Sequence, residues 1–293
     1  MEFQLWAVFA LLCAASSALV LLIPEKVKCD GFALAFWNKV AAFVFMIPLV
    51  LYMGMPTQWQ FYALVAAQAC LWVVSDVIFF RALPVVGAGV VSRILPVAAI
   101  LTFVLWFLFE PTLLQDYLSK PVLSAVVLAA LCGSVYFATR LKRDPVTLRA
   151  VRMIWFVLFA AVIGPLMYKM VTQHTTIAQG PFAFVLFEAF VMVSIWSVFY
   201  AVKKPIPSSI LFSKASLRGG AMVGAAMCLV SLTKFAAMYY VDNPGLVPAV
   251  KYLDAIIVVA YYRAIGKTES ADVIAGLGIV FCAAVIILAK SMA

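Results

Sequence analysis

Residues 32–54 read FALAFWNKVAAFVFMIPLVLYMG, from Phe32 to Gly54, and Lys39 is the one charged side chain in that stretch. As a helix rising about 1.5 Å per residue, such a run spans a hydrocarbon layer about 30 Å thick. A barrel strand would alternate apolar and polar residues over about ten positions. This run is continuously apolar, so it reads as a helix that crosses a bilayer. Nine further stretches read the same way. The ten segments are residues 3–23, 32–54, 60–80, 85–108, 119–139, 151–172, 178–202, 216–241, 245–264 and 270–289.

The composition agrees. Of 293 residues, 67% are hydrophobic and 11% are charged, and the mean hydropathy is +1.13. A soluble domain is about 45–50% apolar and about 25% charged, and surface-to-volume scaling forbids hiding so large an apolar excess. A soluble enzyme, a secreted disulfide scaffold and a disordered chain are excluded. The expected fold is an all-α polytopic membrane protein with a lipid bilayer as its solvent. The longest polar stretches, Arg140–Arg149 and Lys203–Lys214, leave no room for a soluble domain.

The net charge of +9 would point to nucleic acid in a soluble protein. Here it records topology, because basic residues gather in cytoplasmic loops. Fourteen of the 21 Lys and Arg fall in or beside the odd-numbered loops, among them Lys26, Arg140, Lys203 and Arg263. The odd loops are therefore expected in the cytoplasm, with both termini on the opposite face. The first segment lacks a basic region ahead of it and is read as a retained helix. Short loops point to a bacterial cell inner membrane. None of the six cysteines forms a Cys-x-x-Cys pair, so a zinc or redox motif has no support and they read as small buried apolar side chains.

The segments repeat. A first half, residues 1–145, and a second half, residues 146–293, hold five segments each. A shift of 158 residues lays Ser75-Asp76 on Thr233-Lys234, Gly87 on Gly245, and Arg93-Ile94-Leu95-Pro96 on Lys251-Tyr252-Leu253-Asp254. Five helices per half is an odd number, so the halves enter the membrane from opposite faces. That is the inverted repeat of secondary transporters, whose halves rock about a central cavity. Each half also has a short connection between its third and fourth helices, Arg81 to Gly89 and Val241 to Pro248. Each fourth helix runs into a turn with an acidic residue, Glu110 or Glu269. In these features the chain resembles the drug/metabolite transporter superfamily in its ten-helix, EamA-like type. The glycines at the start of the last helix, Gly276 and Gly278, have no counterpart in the fifth segment. The resemblance implies alternating access for a small metabolite, with helices 3, 4, 8 and 9 lining the cavity.

Seven ionisable residues lie well inside the segments: Lys39, Asp76, Arg93, Glu188, Lys234, Lys251 and Asp254. Each costs about 2.5–3.5 kcal/mol at a helix centre, so they must face one another or a wet cavity. Lys251 and Asp254 are three apart and share a helix face. Asp76 is expected near Arg93. Lys39 and Glu188 sit at similar depths in the second helix of each half and are expected to pair as a structural or coupling element. The substrate-binding set is Asp76, Arg93, Lys234, Lys251 and Asp254, with Tyr239 and Tyr252 beside them. Pro96, Pro165 and Pro248 interrupt segments, and Gly220 and Gly224 permit close helix packing.

Four bases against three acids leave one excess positive charge. That suits a carboxylate or phosphate, and a zwitterion fits with its amine on an acid. Single His174 has no partner at metal-ligand spacing, and no catalytic or phosphate-cradling motif is present. The expectation is a protein that is not an enzyme, holds no metal or cofactor, binds no nucleic acid and works as a monomer. It would be a secondary active transporter for an amino acid or similar zwitterion. Asp76, Glu188 and Asp254 would then be candidate proton carriers. The alternatives are an exchanger for a phosphorylated or nucleotide-like anion, and, from another class, an intramembrane lipid-modifying enzyme or a non-transporting membrane partner.

Overall fold

A computed structural model describes residues 5–27, 29–86, 95–141, 148–266 and 272–291. Arg93, Gly87, Glu269 and most of the Arg140–Arg149 connector lie outside the described residues. Within them the chain is helical, without strands. The helices are α1 (Leu5–Val27), α2 (Gly31–Met53), α3 (Trp59–Val86), α4 (Val97–Trp106), α5 (Pro111–Ser119), α6 (Pro121–Arg140) and α7 (Leu148–Thr172). They continue with α8 (Gly180–Lys203), α9 (Ser208–Leu211), α10 (Lys214–Tyr240), α11 (Leu246–Lys251), α12 (Asp254–Ala264) and α13 (Val273–Ser291).

Local chemistry sets several boundaries. Asp30 accepts hydrogen bonds from the amides of Phe32 and Ala33 and opens α2. Ser213 opens α10 by accepting from Ser216, and Asp272 opens α13 by accepting from Ile274 and Ala275. These caps satisfy donors that a helix start leaves unpaired. At their far ends α2 and α8 close on residues with positive φ, Gly54 (83°) and Lys204 (42°), whose amides return to Val50 and Tyr200.

Eight helices among the described residues are long and apolar enough to cross a membrane, or nine if the bent pair α4–α5 is one span. The expected ten continuous spans are modified in two places. Of segment 85–108, only the end of α3 and the start of α4 at Leu95-Pro96 onward are described. Segment 245–264 is broken into α11 and α12, and the break is closed by tight turns, Leu253 N to Val250 O at 3.1 Å and Ala255 N to Tyr252 O at 3.2 Å. The connection after Trp106 is no simple loop either. It turns through 102° into α5, which buries none of its residues.

Helix α10 occupies the centre, against α1, α2, α7 and α8. Two of its three glycines explain the fit. A Cβ on Gly220 would stand 2.2 Å from Trp37 Cβ, and one on Gly224 would stand 2.6 Å from Asn38 O. The pair α6 and α13 packs chiefly on itself at the side.

The connections sort into two sets, one at each end of the bundle. At one end Lys26 lies over Tyr261, a Cβ on Gly219 would meet Val27, and Asp272 N donates to Leu141 O at 3.0 Å. At the other end His174 hydrogen-bonds with Gln58 at 2.9 Å, Lys169 donates to Met238 O at 3.1 Å, and Lys290 pairs with Asp242. Two apolar cores follow the same division. Along α1 one core takes Trp6, Ala7 and Ala10, and the other takes Ala18, Val20, Leu21 and Leu22. Trp6 is therefore a core residue rather than an interfacial one. The cysteines are unpaired, and Cys13, Cys228 and Cys282 are buried as expected, but Cys70 and Cys132 are exposed on the flank.

Candidate functional site

Between the two cores lies a cavity of about 190 Å³. Ser17, Val20 and Leu21 of α1 form part of it, with Lys39 of α2 and Glu188 of α8. Helix α3 contributes Trp72, Ser75, Asp76 and Phe79, and α10 contributes Met227, Val230, Ser231 and Lys234. Pro165 and Tyr168 of α7 and the broken stretch from Val247 to Asp254 complete the wall. The i, i+3, i+4, i+7 spacing on α3 and α10 is that of one helix face.

Six ionisable side chains meet here, three bases and three acids. Lys39 Nζ is 2.8 Å from Glu188 Oε2 and 3.9 Å from Asp76 Oδ2. All three are buried. Lys251 Nζ is 3.6 Å from Asp254 Oδ2. That pairing spans the break, so the charges tie the end of α11 to the start of α12. Lys234 differs. Among the described residues no carboxylate comes within ion-pair distance of it. Its ammonium lies over two aromatic faces, 4.2 Å from the centre of the Tyr168 ring and 5.8 Å from that of Trp72. Phe184 packs against Tyr168 with ring centres 4.4 Å apart and holds it in place.

Several buried polar atoms on this wall have no hydrogen-bond partner among the described residues: Ser17 Oγ, Ser75 Oγ, Asp76 Oδ2 and Asp254 Oδ1. Buried polar groups are normally paired, by protein or by something bound. Four such atoms gather on one cavity. Tyr252 is not free in this way, because its hydroxyl donates to Leu95 O at 2.5 Å and clamps the broken stretch to the approach of α4.

The expected site residues sort cleanly. Lys234, Lys251, Asp76, Asp254 and Tyr252 line the cavity together, and Lys39 and Glu188 pair. Arg93 lies outside the described residues, and the described partner of Asp76 is Lys39. Tyr239 is not on the wall; its ring packs against Tyr240 at 5.3 Å. Ser17, Ser75 and Ser231 line the cavity but escaped the sequence reading, because serines in apolar helices are too ordinary to draw notice.

The lining residues of α3, Trp72, Ser75, Asp76 and Phe79, and those of α10, Met227, Val230, Ser231 and Lys234, have the same spacing and lie 155 residues apart, as do the helix starts Trp59 and Lys214.

Helices of this length and polarity, enclosing charges between two apolar cores, are the build of an integral membrane protein. No protein-family model matches the chain, and no curated protein matches it in sequence.

Proposed function

We propose that this protein is a secondary active transporter of a small zwitterion, an amino acid or a close relative, built from two inverted five-helix halves. The observation that carries the reading is the charge pattern of the cavity. Three bases face three acids, yet the pairing is uneven. Lys39 serves two carboxylates, whereas Lys234 has none within reach among the described residues. Among the described residues the cavity is thus neutral in sum and dipolar in arrangement, the complement of a neutral molecule with separated charges. A phosphorylated anion would need a net positive wall.

The helix pairings support the inverted halves, residues 1–145 and 146–293. Exchanging each helix of the first half for its counterpart turns α1–α10 into α7–α3 and α2–α10 into α8–α3, and all four contacts exist. The pairs α2–α8 and α6–α13 map onto themselves, as contacts across a twofold axis must. The sorting of connections supports ten crossings. Every loop contact named above joins an odd loop or helix end to an odd one, or an even to an even. The broken stretch 246–264 and the path through α4 then cross the membrane too, and irregular backbone is tolerated there because it lines a cavity.

The same pairings support the resemblance to the drug/metabolite transporter superfamily, and on this reading the protein works as a monomer in a bacterial inner membrane, odd loops in the cytoplasm. The test is uptake by proteoliposomes holding the purified protein. Saturable uptake of labelled neutral amino acids, stimulated by an imposed proton gradient or by unlabelled substrate inside, is the expected result. Uptake of phosphorylated metabolites without any of amino acids, or no saturable flux at all, overturns the reading.

A further inference from the structure

We infer that Lys234 receives the carboxylate of an apolar α-amino acid, and that Asp76 faces its ammonium group. The inference rests on the zwitterion reading above and gives it polarity. Three cations line the cavity among the described residues, and their states differ. Lys39 is held at 2.8 Å by Glu188 and Lys251 at 3.6 Å by Asp254. A ligand carboxylate would have to displace a protein carboxylate from either. Among the described residues Lys234 is held by the faces of Tyr168 and Trp72 and by no carboxylate. A cation–π contact is a weaker hold than a charge-assisted hydrogen bond to a carboxylate. The ammonium can therefore swing to an incoming anion at little cost, while the rings keep it poised when the cavity holds none.

The opposite pole lies at Asp76. Its Oδ2 accepts no hydrogen bond and is 3.9 Å from a lysine already engaged by Glu188. An ammonium group supplies the donors that Oδ2 lacks, and Ser75 Oγ beside it, also without a partner, offers a further acceptor. The remaining wall includes Val20, Leu21, Val157, Ala161, Met227 and Val230, which are apolar. The other ionised groups on the wall are engaged with one another as Lys39–Glu188 and Lys251–Asp254, so a charged third group would have to compete with a protein partner. The substrate class is thus amino acids with apolar side chains, rather than acidic, basic or phosphorylated ones.

The test uses the full chain purified in detergent and three probes: L-valine, L-valinamide, which lacks the carboxylate charge, and isovalerate, which lacks the amine. Affinities come from thermal-shift titrations. Wild type is expected to prefer valine over each analogue by about tenfold or more, the worth of one charge-assisted bond. Lys234→Gln and Lys234→Met should erase the preference for valine over valinamide and keep that over isovalerate. Asp76→Asn should do the reverse, and carries the assignment from the other end should the Lys234 variants fail to fold. Lys234→Arg should restore the first preference. If Lys234→Gln weakens valine and valinamide equally, the carboxylate is held elsewhere and this inference falls while the zwitterion reading stands. If wild type binds no amino acid of the panel, the zwitterion reading falls with it.

Discussion

Lys39 and Glu188 hold the same position in two helices, each the ninth residue after the helix opens at Gly31 or Gly180, and their side chains meet at 2.8 Å. At about 1.5 Å per residue the ninth position is about 12 Å into the helix, close to mid-membrane. On the proposed inverted repeat the two residues are counterparts and lie on the axis relating the halves. That repeat would not be charge-symmetric: at its centre one half presents a base and the other an acid.

Asp76 makes this pair unequal in its consequences. Lys39→Met strips the base from two buried carboxylates, whereas Glu188→Gln leaves Lys39 with Asp76. Breaking a buried pair costs about 3–5 kcal/mol because the remaining charge is uncompensated. Melting temperatures in detergent should fall in the order wild type, Glu188→Gln, Lys39→Met. The double variant Lys39→Met with Glu188→Met should recover part of the loss. Equal melting of the two single variants would show that Asp76 does not share the lysine.

The packing of α10 on α2 gives a sharper contrast. Gly220→Ala places a Cβ 2.2 Å from Trp37 Cβ and 2.8 Å from its backbone, so the helices must separate. Overpacking of this kind costs about 1–3 kcal/mol. Gly276→Ala meets only Leu141, at 3.7 Å, and sits in a helix. There alanine is expected to stabilise by about 0.5–1 kcal/mol through helix propensity. Opposite shifts in melting temperature for these two variants are the expected result, and a tolerated Gly220→Ala would contradict the close approach.

Tyr252 sits at the break between α11 and α12, and its hydroxyl holds Leu95 O. Tyr252→Phe keeps the ring and removes that bond, leaving a carbonyl without its partner. The expected loss is about 1–3 kcal/mol of stability. Because the bond joins the broken stretch to the approach of α4, uptake should fall by more than the folded fraction does. Uptake that tracks the folded fraction alone would make the bond a structural strut and nothing more.

The reach of the sequence differs from feature to feature. Span positions were legible because an apolar run about 20 residues long has one physical solution in a bilayer. The pairs Lys39–Glu188 and Lys251–Asp254 were legible because charges in hydrocarbon must be matched. The 155-residue spacing between the lining faces of α3 and α10 was not, because three residues are close to one helical turn and the same apolar face reappears at a shift of 158. The break after Lys251 was also hidden. Neither Tyr252 nor Leu253 is a helix breaker, and what marks the spot is tertiary: the hydroxyl of Tyr252 reaching Leu95 and the charges of Lys251 and Asp254 turned into the cavity. Tyr239 was drawn into the candidate site by its closeness in sequence to Lys234, but five residues along a helix is more than a full turn and places it on another face.

Orientation in the membrane can be read from two connections. His174, which bonds to Gln58, lies in the connection between α7 and α8, and Ser208 lies in the one between α8 and α10. If α8 crosses, these residues are on opposite faces. The basic residues Lys203, Lys204, Lys214 and Arg218 flank Ser208, and on the proposed orientation that face is cytoplasmic. In a background lacking the six native cysteines, the His174→Cys variant should react with a membrane-impermeant maleimide on intact cells, and the Ser208→Cys variant only after permeabilisation. The reverse pattern would invert the molecule and leave the fold intact. Labelling of both from one side would remove α8 as a crossing, and with it the inverted halves, since Lys39 and Glu188 could no longer meet at mid-membrane from opposite directions.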